Sequence, residues 1–346
     1  MIGGATRTLR RLVQNEHVVT KRRTLSSIAR GVPVIDVSEL ISENDSKLNS
    51  NMKVCQQIED ACSTWGFFQC VNAPIDPKLQ AKFYDQKERF FHLPTLVKEK
   101  IRRTAKNSKG WYDDELTKQR RDWKEGFDIG AQDGDLDKAG LDGLNQWPND
   151  MDDFENIVRE YFQACESFAR SLTCAMTVGL GLKPEALVQD HFDSVHSSYL
   201  RMNYYPKCPE PESHMAISHH TDAGAVTVLT QSLVQSLQVY QPHDDKWYDV
   251  EPIDGAFVIN TGDIMQVWSN DKYRAPLHRV KAQLELERYS SPFFYNPSYE
   301  TNYAPVYRKE NAKYRPINWG EFRMKRFAGD YADVGEEVQI SHYALK

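Results

Sequence analysis

The chain has 346 residues, of which 43 are Lys or Arg and 49 are Asp or Glu, so its formal net charge is −6 at pH 7. This length supports a large buried core, and we find no apolar run in the sequence of the length that a transmembrane helix needs. Proteins that bind nucleic acid through phosphate contacts present a basic face, so the acidic balance argues against a nucleic-acid partner.

Residues 1–31 form a basic extension in which Glu16 is the single acid. This composition is typical of an organellar transit peptide, but a disordered basic tail has the same composition, and the sequence leaves both open. The six cysteines are irregularly spaced and include no C-x-x-C pair, which indicates reduced thiols. We therefore expect an intracellular, cytoplasmic protein, with mitochondrial or plastid targeting by residues 1–31 as the open alternative.

Residues 32–195 predict a mixed α/β region. Val54, Ile58 and Ala61 recur at helical spacing, and a later helix should end before Pro94, because the residue before a proline disfavours helical geometry. In chain order, we predict a strand at 33–40, a helix at 51–63, a strand at 65–72, a helix at 77–91, a strand at 123–130 within the loop-rich stretch 102–150, and a helix at 152–180.

Residues 196–300 predict a different architecture, because short apolar segments follow one another with turn residues between them. Many short strands at regular spacing are typical of a β-sandwich or barrel. The predicted strands are SYLRMNYY, AVTVLTQ, SLQVYQ, WYDVEP, GAFVINTG, IMQVWS, HRVKAQ and RYSSPFFYN. Residues 301–346 predict irregular structure, a helix at 318–329 and an acidic tail.

Three potential metal ligands lie at the ends of these predicted strands. His220 and Asp222 are two residues apart, and a strand directs such residues to one face, whereas His219 should face the other way. His278, at the start of a later predicted strand, is the best candidate for a third ligand. Two imidazoles and one carboxylate leave coordination positions open and suit Fe(II) chemistry with O₂, although zinc also binds this set. A lone H-x-D occurs often by chance, so these three residues alone are a weak signal.

A second pair strengthens this interpretation. Arg288 and Ser290 should also share one face of a strand, ten residues beyond His278. A guanidinium and a hydroxyl together form a good receptor for a carboxylate. Next to a metal with open positions, this receptor would anchor a 2-oxo acid, whereas the alternative is an arginine paired with a core acid.

Several segments resemble the 2-oxoglutarate- and Fe(II)-dependent dioxygenases of the isopenicillin-N-synthase-like family, from about Pro33 to the C-terminus. In chain order they are FFHLP, DWKEGFDIG, LRMNYYPKCP, HTDAGAVTVLTQ, SLQVYQ, WYDVEPIDGAFVINTGDIMQVWSNDKYRAPLHRV and RYSSPFFYNP. One departure is Ser236-Leu237, where many members have Gly-Leu. The resemblance implies a mainly β fold with flanking α-helices, in which 196–300 form a double-stranded β-helix (jelly-roll) core. It also makes residues 301–346 a candidate lid.

The resemblance also implies roles for individual residues. The implied iron ligands are His220, Asp222 and His278, and the implied anchor for the distal carboxylate of 2-oxoglutarate is Arg288 with Ser290. Further implied contacts are Asn203 and Tyr205 to the cosubstrate, and Tyr112, Phe127, Phe294 and Asn296 to the substrate.

The implied activity is hydroxylation, desaturation or oxidative cyclisation of a small-molecule metabolite, with release of succinate and CO₂. The implied cofactors are Fe(II), 2-oxoglutarate and O₂, with ascorbate as a candidate reductant. We expect a monomer without nucleic-acid or membrane partners. Two alternatives stay open: an iron oxidase of the same fold that does not use 2-oxoglutarate, and a non-catalytic ligand-binding relative. A zinc hydrolase would need a general base near the metal, and the sequence offers no motif for one.

Overall fold

The computed structural model describes residues 31–40, 52–117, 120–131, 142–192, 195–331 and 338–345. Its α-helices are α1 (Met52–Thr64), α2 (Pro77–Phe91), α3 (Thr95–Lys98), α4 (Phe154–Gly179), α5 (Ala186–His191), α6 (Asp263–Trp268) and α7 (Trp319–Tyr331). Its strands are β1 (Val34–Asp36), β2 (Phe67–Val71), β3 (Gly110–Tyr112), β4 (Leu116–Thr117), β5 (Arg120–Arg121), β6 (Glu125–Gly130), β7 (Tyr199–Tyr205), β8 (Met215–His220), β9 (Val226–Gln231), β10 (Leu237–Gln241), β11 (Lys246–Asp249), β12 (Phe257–Thr261), β13 (His278–Lys281), β14 (Arg288–Tyr295), β15 (Asn302–Tyr303) and β16 (Ile317–Asn318). Residues 1–30 of the predicted basic extension lie outside the described residues.

Two sheets form the centre of the fold. The larger has eight strands in the order β1-β2-β12-β9-β14-β7-β6-β3, and the smaller has four in the order β11-β10-β13-β8. Apart from the parallel pair β1–β2, their strand pairs are antiparallel. The expected mainly β fold with flanking helices is therefore confirmed. Because β1, β2, β3 and β6 join the larger sheet, the predicted boundary at residue 195 falls within one sheet.

Successive side chains along a strand point to opposite faces of the larger sheet, and this divides the core into two layers. Phe67 and Val258 point toward the smaller sheet and pack in one apolar cluster with its Val239 and Val280. Phe68, the next residue along β2, belongs to the other cluster, which lies under α1, α2 and α4. Full burial of one such side chain contributes about 1.5–3 kcal/mol, so both layers stabilise the sandwich. Among the residues that the structure describes, no helix is both long enough and apolar enough to cross a bilayer.

The prediction of a strand at IMQVWS is wrong, because these residues form helix α6. Ile264, Val267 and Trp268 are all buried, and they follow the i, i+3, i+4 spacing of a helix face rather than the alternation of a strand. The segment 33–40 is a strand only as far as Asp36. The other predicted helices and strands coincide with observed ones to within a few residues, whereas β8 was not predicted.

Gly66 joins α1 to β2 in a conformation that favours glycine. Its φ is +63°, and a Cβ atom would lie 2.1 Å from the carbonyl oxygen of Arg274. Gly255 has a similar φ of +69° but no atom within 4 Å of the added Cβ position.

We predict that Gly66→Ala lowers the free energy of unfolding by roughly 2–4 kcal/mol, since both backbone strain and a backbone clash act there. Gly255→Ala, the matched control, should cost only about 1–2 kcal/mol, because it carries the strain alone. Chemical denaturation of both variants measures the difference. Equal losses would contradict the assigned clash.

Candidate metal and cosubstrate site

The three predicted metal ligands meet at one end of the smaller sheet. His220 and His278 are directly opposed on the antiparallel strands β8 and β13, and their ring centroids are 4.2 Å apart. Nε2 of each imidazole lies 3.6 Å from Oδ1 of Asp222. The candidate ligand atoms of the three residues all lie within 4.8 Å of one another, so a single ion could contact all of them.

Asp222 reaches this position by a different route from the one predicted. Strand β8 ends at His220, so the two-residue alternation of a strand does not place the carboxylate. Instead, the turn that follows is bonded to the start of α6: Asp263 N–H donates to the carbonyl of Asp222 at 2.8 Å, and Ile264 N–H donates to that of Gly224 at 3.0 Å. The turn is therefore held by main-chain bonds to a helix that the sequence did not predict.

The two imidazoles are oriented by backbone carbonyls. Nδ1 of His220 lies 2.8 Å from the oxygen of Ser218, and Nδ1 of His278 lies 3.2 Å from that of Pro276. A carbonyl only accepts a hydrogen bond, so these contacts place the proton on Nδ1 and leave Nε2 as the free lone pair. Both rings thus present the nitrogen that a metal ion requires.

The carboxylate of Asp222 is held by its other oxygen. Oδ2 accepts hydrogen bonds from Thr227 Oγ1 at 2.5 Å and from Asn260 Nδ2 at 2.7 Å, and Oδ1 is left toward the imidazoles. Burial opposes the charged form, but the two imidazoles and these two hydrogen bonds outweigh it and lower the pKa of Asp222. Burial, followed by the charge of the second imidazole, lowers the pKa of His220. A charged carboxylate beside a neutral imidazole is the protonation state that metal binding needs.

The predicted cosubstrate residues also come together, on strands β7 and β14. Arg288 is paired in register with Tyr205, and Ser290 with Asn203. The Ser290 hydroxyl accepts from Asn203 Nδ2 at 3.3 Å and lies 3.0 Å from the hydroxyl of Tyr205. All four side chains are buried and line the same cavity as the three potential metal ligands.

Two hydrogen-bond donors of Arg288 have no partner among the described residues. Arg288 is 1% exposed, and its Nη2 donates to Gln231 Oε1 at 2.7 Å, while its Nε and Nη1 are buried without a hydrogen-bond partner. Within the described parts of the chain, no carboxylate forms an ion pair with it, so the alternative of a partner acid in the core finds no support there. An unsatisfied buried donor costs about 1–3 kcal/mol. A bound carboxylate would supply acceptors to one edge of the guanidinium, where Nη2 is paired with either Nε or Nη1.

The cavity has a volume of about 140 Å³, and two of the four predicted substrate residues line it. Phe294 lies in its wall and stacks on Tyr199 at 4.6 Å between ring centroids. Asn296 also lines it, with its buried Oδ1 atom lacking a hydrogen-bond partner. These two positions therefore offer an apolar surface and a hydrogen-bond acceptor to a bound molecule.

The structure does not bring Tyr112 and Phe127 to the cavity. Phe127 packs in the core against Phe90, with ring centroids 4.7 Å apart, because it is in register with the core residue Met202 on the helix-facing side of the sheet. Tyr112 is covered by the guanidinium of Arg103, 3.5 Å from its ring centroid. Neither side chain lines the cavity wall where the resemblance located it.

Two groups of cavity residues were not predicted. Tyr199 and Arg201 precede Asn203 on β7 at two-residue spacing, so the alternation of the strand could have identified them. Trp319, Arg323 and Arg326 come from α7 at the spacing of one helix face. No local pattern in the sequence predicts that α7 lies beside the cavity, although the resemblance made residues 301–346 a candidate lid.

The wall of the cavity also contains buried ion pairs. Arg201 contacts both oxygens of Asp128 at 2.8 Å and one oxygen of Glu115 at 3.1 Å, and Lys124 Nζ lies 2.6 Å from Glu115. Burial disfavours the charged form of Glu115, but Arg201 and Lys124 hold its pKa below the ordinary value. These side chains are therefore charged but mutually neutralised.

Comparisons with known proteins agree with this geometry. A family model described as the 2OG-Fe(II) oxygenase superfamily matches residues 196–297, and one described as the non-haem dioxygenase in morphine synthesis N-terminal region matches residues 32–150. Jasmonate-induced oxygenase 2 of Arabidopsis thaliana is 30% identical over 86% of this chain and 79% of its own length. Protein DMR6-LIKE OXYGENASE 1 of the same plant is 32% identical over 85% and 81%, respectively. The crystal structure of JOX2 with 2OG, Fe and JA superposes with a TM-score of 0.76 at 26% identity, covering 91% of this chain and 89% of that one.

We predict that Thr227→Val weakens the binding of Co(II), used as a probe ion, by roughly ten- to a hundredfold, because Asp222 loses one of the two bonds that orient it. Thr230→Val is the matched control on the same strand, since the Thr230 hydroxyl bonds to Tyr161 at 3.0 Å and lies away from the ligands. Calorimetric titration of both variants provides the measurement. If both lose affinity equally, the assigned role of the Thr227 hydroxyl is wrong.

Proposed function

Because the chain belongs to the superfamily of 2-oxoglutarate- and Fe(II)-dependent oxygenases, we propose that His220, Asp222 and His278 hold its iron and that Arg288 anchors its 2-oxoglutarate. The protein is a dioxygenase that acts on a small organic molecule. Its second substrate binds in the cavity that these residues line, where Phe294 and Asn296 contact it.

One observation carries this proposal: Arg288, which has two buried donors without a partner, lines the same cavity as a group of three potential metal ligands. A non-catalytic binder of apolar molecules has no use for either feature. Three protein ligands leave coordination positions for a chelating cosubstrate, whereas a structural zinc site is closed by four. The similarity to a protein whose crystal structure contains 2OG and Fe supports a 2-oxoglutarate-dependent enzyme over the oxidase that does not use 2-oxoglutarate.

When bound, Fe(II), 2-oxoglutarate and O₂ supply the oxidising chemistry, with succinate and CO₂ as the products of the cosubstrate. The chain supplies binding, orientation and exclusion of water. Arg288 and the Ser290 hydroxyl bind the distal carboxylate, and the hydroxyl is itself held by Tyr205 and Asn203. The substrate is oriented by the apolar ring of Phe294 on one side and the acceptor Oδ1 of Asn296 on the other.

We predict that Arg288→Ala weakens 2-oxoglutarate binding by about two to three orders of magnitude, since the loss of one partner of a buried charge pair costs roughly 3–5 kcal/mol. Arg279→Ala is the matched control, because Arg279 lies on the adjacent sheet, packs on Trp247 and does not line the cavity. Isothermal titration of 2-oxoglutarate in the presence of Mn(II) measures both. A change of only a few-fold in Arg288→Ala would indicate a structural arginine.

We predict that His278→Ala abolishes Fe(II)-dependent release of succinate, because two remaining ligands hold the ion too weakly for turnover. The exposed His243, in the turn between β10 and β11, provides the control variant His243→Ala, which should retain full activity. Succinate is measured with and without added Fe(II), and anaerobic absorption spectra report the complex of Fe(II) with 2-oxoglutarate. Retention of iron-dependent turnover in His278→Ala would refute the ligand assignment.

A further inference from the structure

A smaller cavity adjoins the one described above, and we refer to it as the annex. The two cavities share four wall residues, namely Tyr199, Asn296, Trp319 and Arg323. The remaining residues of the annex wall are Ser108, Lys109, Asp128 and Tyr299. Its volume is about 20 Å³. A space of this size admits a polar group of a few atoms at the end of a larger ligand.

Lys109 is the most unusual residue of the annex. It is 5% exposed and lines the annex, yet its ammonium makes no hydrogen bond and no ion pair with any residue that the structure describes. The backbone of Lys109 is fixed on both sides, since its N–H donates to Asn107 Oδ1 at 3.1 Å and its carbonyl accepts from Gln146 Nε2 at 2.7 Å. A buried ammonium is costly unless it is paired, and among the described residues Lys109 has no counter-ion within ion-pair distance.

Neither of the two described acids near Lys109 acts as its counter-ion. Asp128 lines the annex, but Arg201 already contacts both of its oxygens at 2.8 Å. Asp142 attracts the ammonium through space without forming an ion pair within 4 Å. Burial outweighs both attractions and lowers the pKa of Lys109. A bound anion would offset this cost and favour the charged form of Lys109.

A second cation faces the same space. The guanidinium of Arg323, on α7, lies 6.0 Å from the ring centroid of Tyr199, and Nζ of Lys109 lies 5.5 Å from the same centroid. Two like charges beside one ring repel each other, and the repulsion from Arg323 also disfavours the charged form of Lys109. One water molecule would satisfy a hydrogen bond of the ammonium of Lys109, but it would not neutralise its charge.

We propose that the annex binds a carboxylate of the oxidised substrate, with Lys109 as its main partner and Arg323 as the second. The substrate is thus a small organic acid whose apolar body lies along Tyr199 and Phe294, between the annex and the metal ligands. A carboxylate is an anion small enough for the annex. This inference rests on the proposed function, since it concerns the same cavity, and it adds a substrate class and two specificity-determining residues.

The test uses the full chain under anaerobic conditions with Fe(II) and 2-oxoglutarate. Matched pairs of a carboxylic acid and its primary amide serve as probes: phenylacetate and phenylacetamide, cinnamate and cinnamamide, and hexanoate and hexanamide. Ligand-observed NMR gives the dissociation constant of each probe. The variant Lys109→Met removes the charge and keeps most of the side-chain volume. Lys272→Met is the control, because Lys272 pairs with Glu59 at 2.8 Å and lines neither cavity.

We expect at least one acid to bind about tenfold or more tightly than its amide to the wild-type protein and to Lys272→Met. In Lys109→Met this preference should disappear, while the amide binds as before and the melting temperature stays the same or rises. Equal preferences in Lys109→Met and wild type, a wild-type preference for amides, or no binding of any acid at millimolar concentration would overturn the inference.

The absorption band of the complex of Fe(II) with 2-oxoglutarate separates this outcome from a failure of the proposed function. A normal band in wild type and in Lys109→Met, together with no preference for acids, would reject the substrate class alone. Absence of the band in the wild-type protein would instead reject the proposed function.

Discussion

The cross-strand pairing of β8 with β13 is the constraint on which the site depends. It sets His220 directly opposite His278, with ring centroids 4.2 Å apart, although the two residues are far apart in the sequence. A shift of one residue in this register would move one imidazole to the other face of the sheet. The register shifts between His278 and Val280, so the direct opposition of the two histidines is set at their own pair. Val280 itself packs between the two sheets with residues of β2 and β12.

Polar groups are buried in the cavity at the open end of the same sandwich. Three parts of the cavity wall differ in whether these groups have hydrogen-bond or ion-pair partners. Arg201, Glu115 and Lys124 neutralise one another, so this part is charged but satisfied. Arg288 keeps two donors without partners, and Lys109 keeps an ammonium without a counter-ion among the described residues. Unsatisfied buried donors reduce the stability of the free protein. Such groups in a cavity wall are the basis of our two proposals, in each of which a carboxylate supplies the missing partner.

Predictions from the sequence succeeded where a local pattern carries the signal. H-x-D and R-x-S identified residues that line one cavity, and the strands of 196–300 other than β8 followed from their alternation and turn residues. They failed where the period was misinterpreted, as in IMQVWS, whose buried residues have helical spacing. The resemblance implied that Phe127 contacts the substrate, but Phe127 is buried on the helix-facing side of the sheet, in register with the core residue Met202.

The sequence by itself determined the family, the mainly β architecture and the set of ligand types, because each depends on residue identity and short spacing. Only the tertiary structure decided how Asp222 reaches the imidazoles, since the turn is held by main-chain bonds to α6. It also decided that Arg323 of α7 and Lys109, which precedes β3, face one cavity. Such contacts arise from the packing of elements that are remote along the chain, and no local periodicity encodes them.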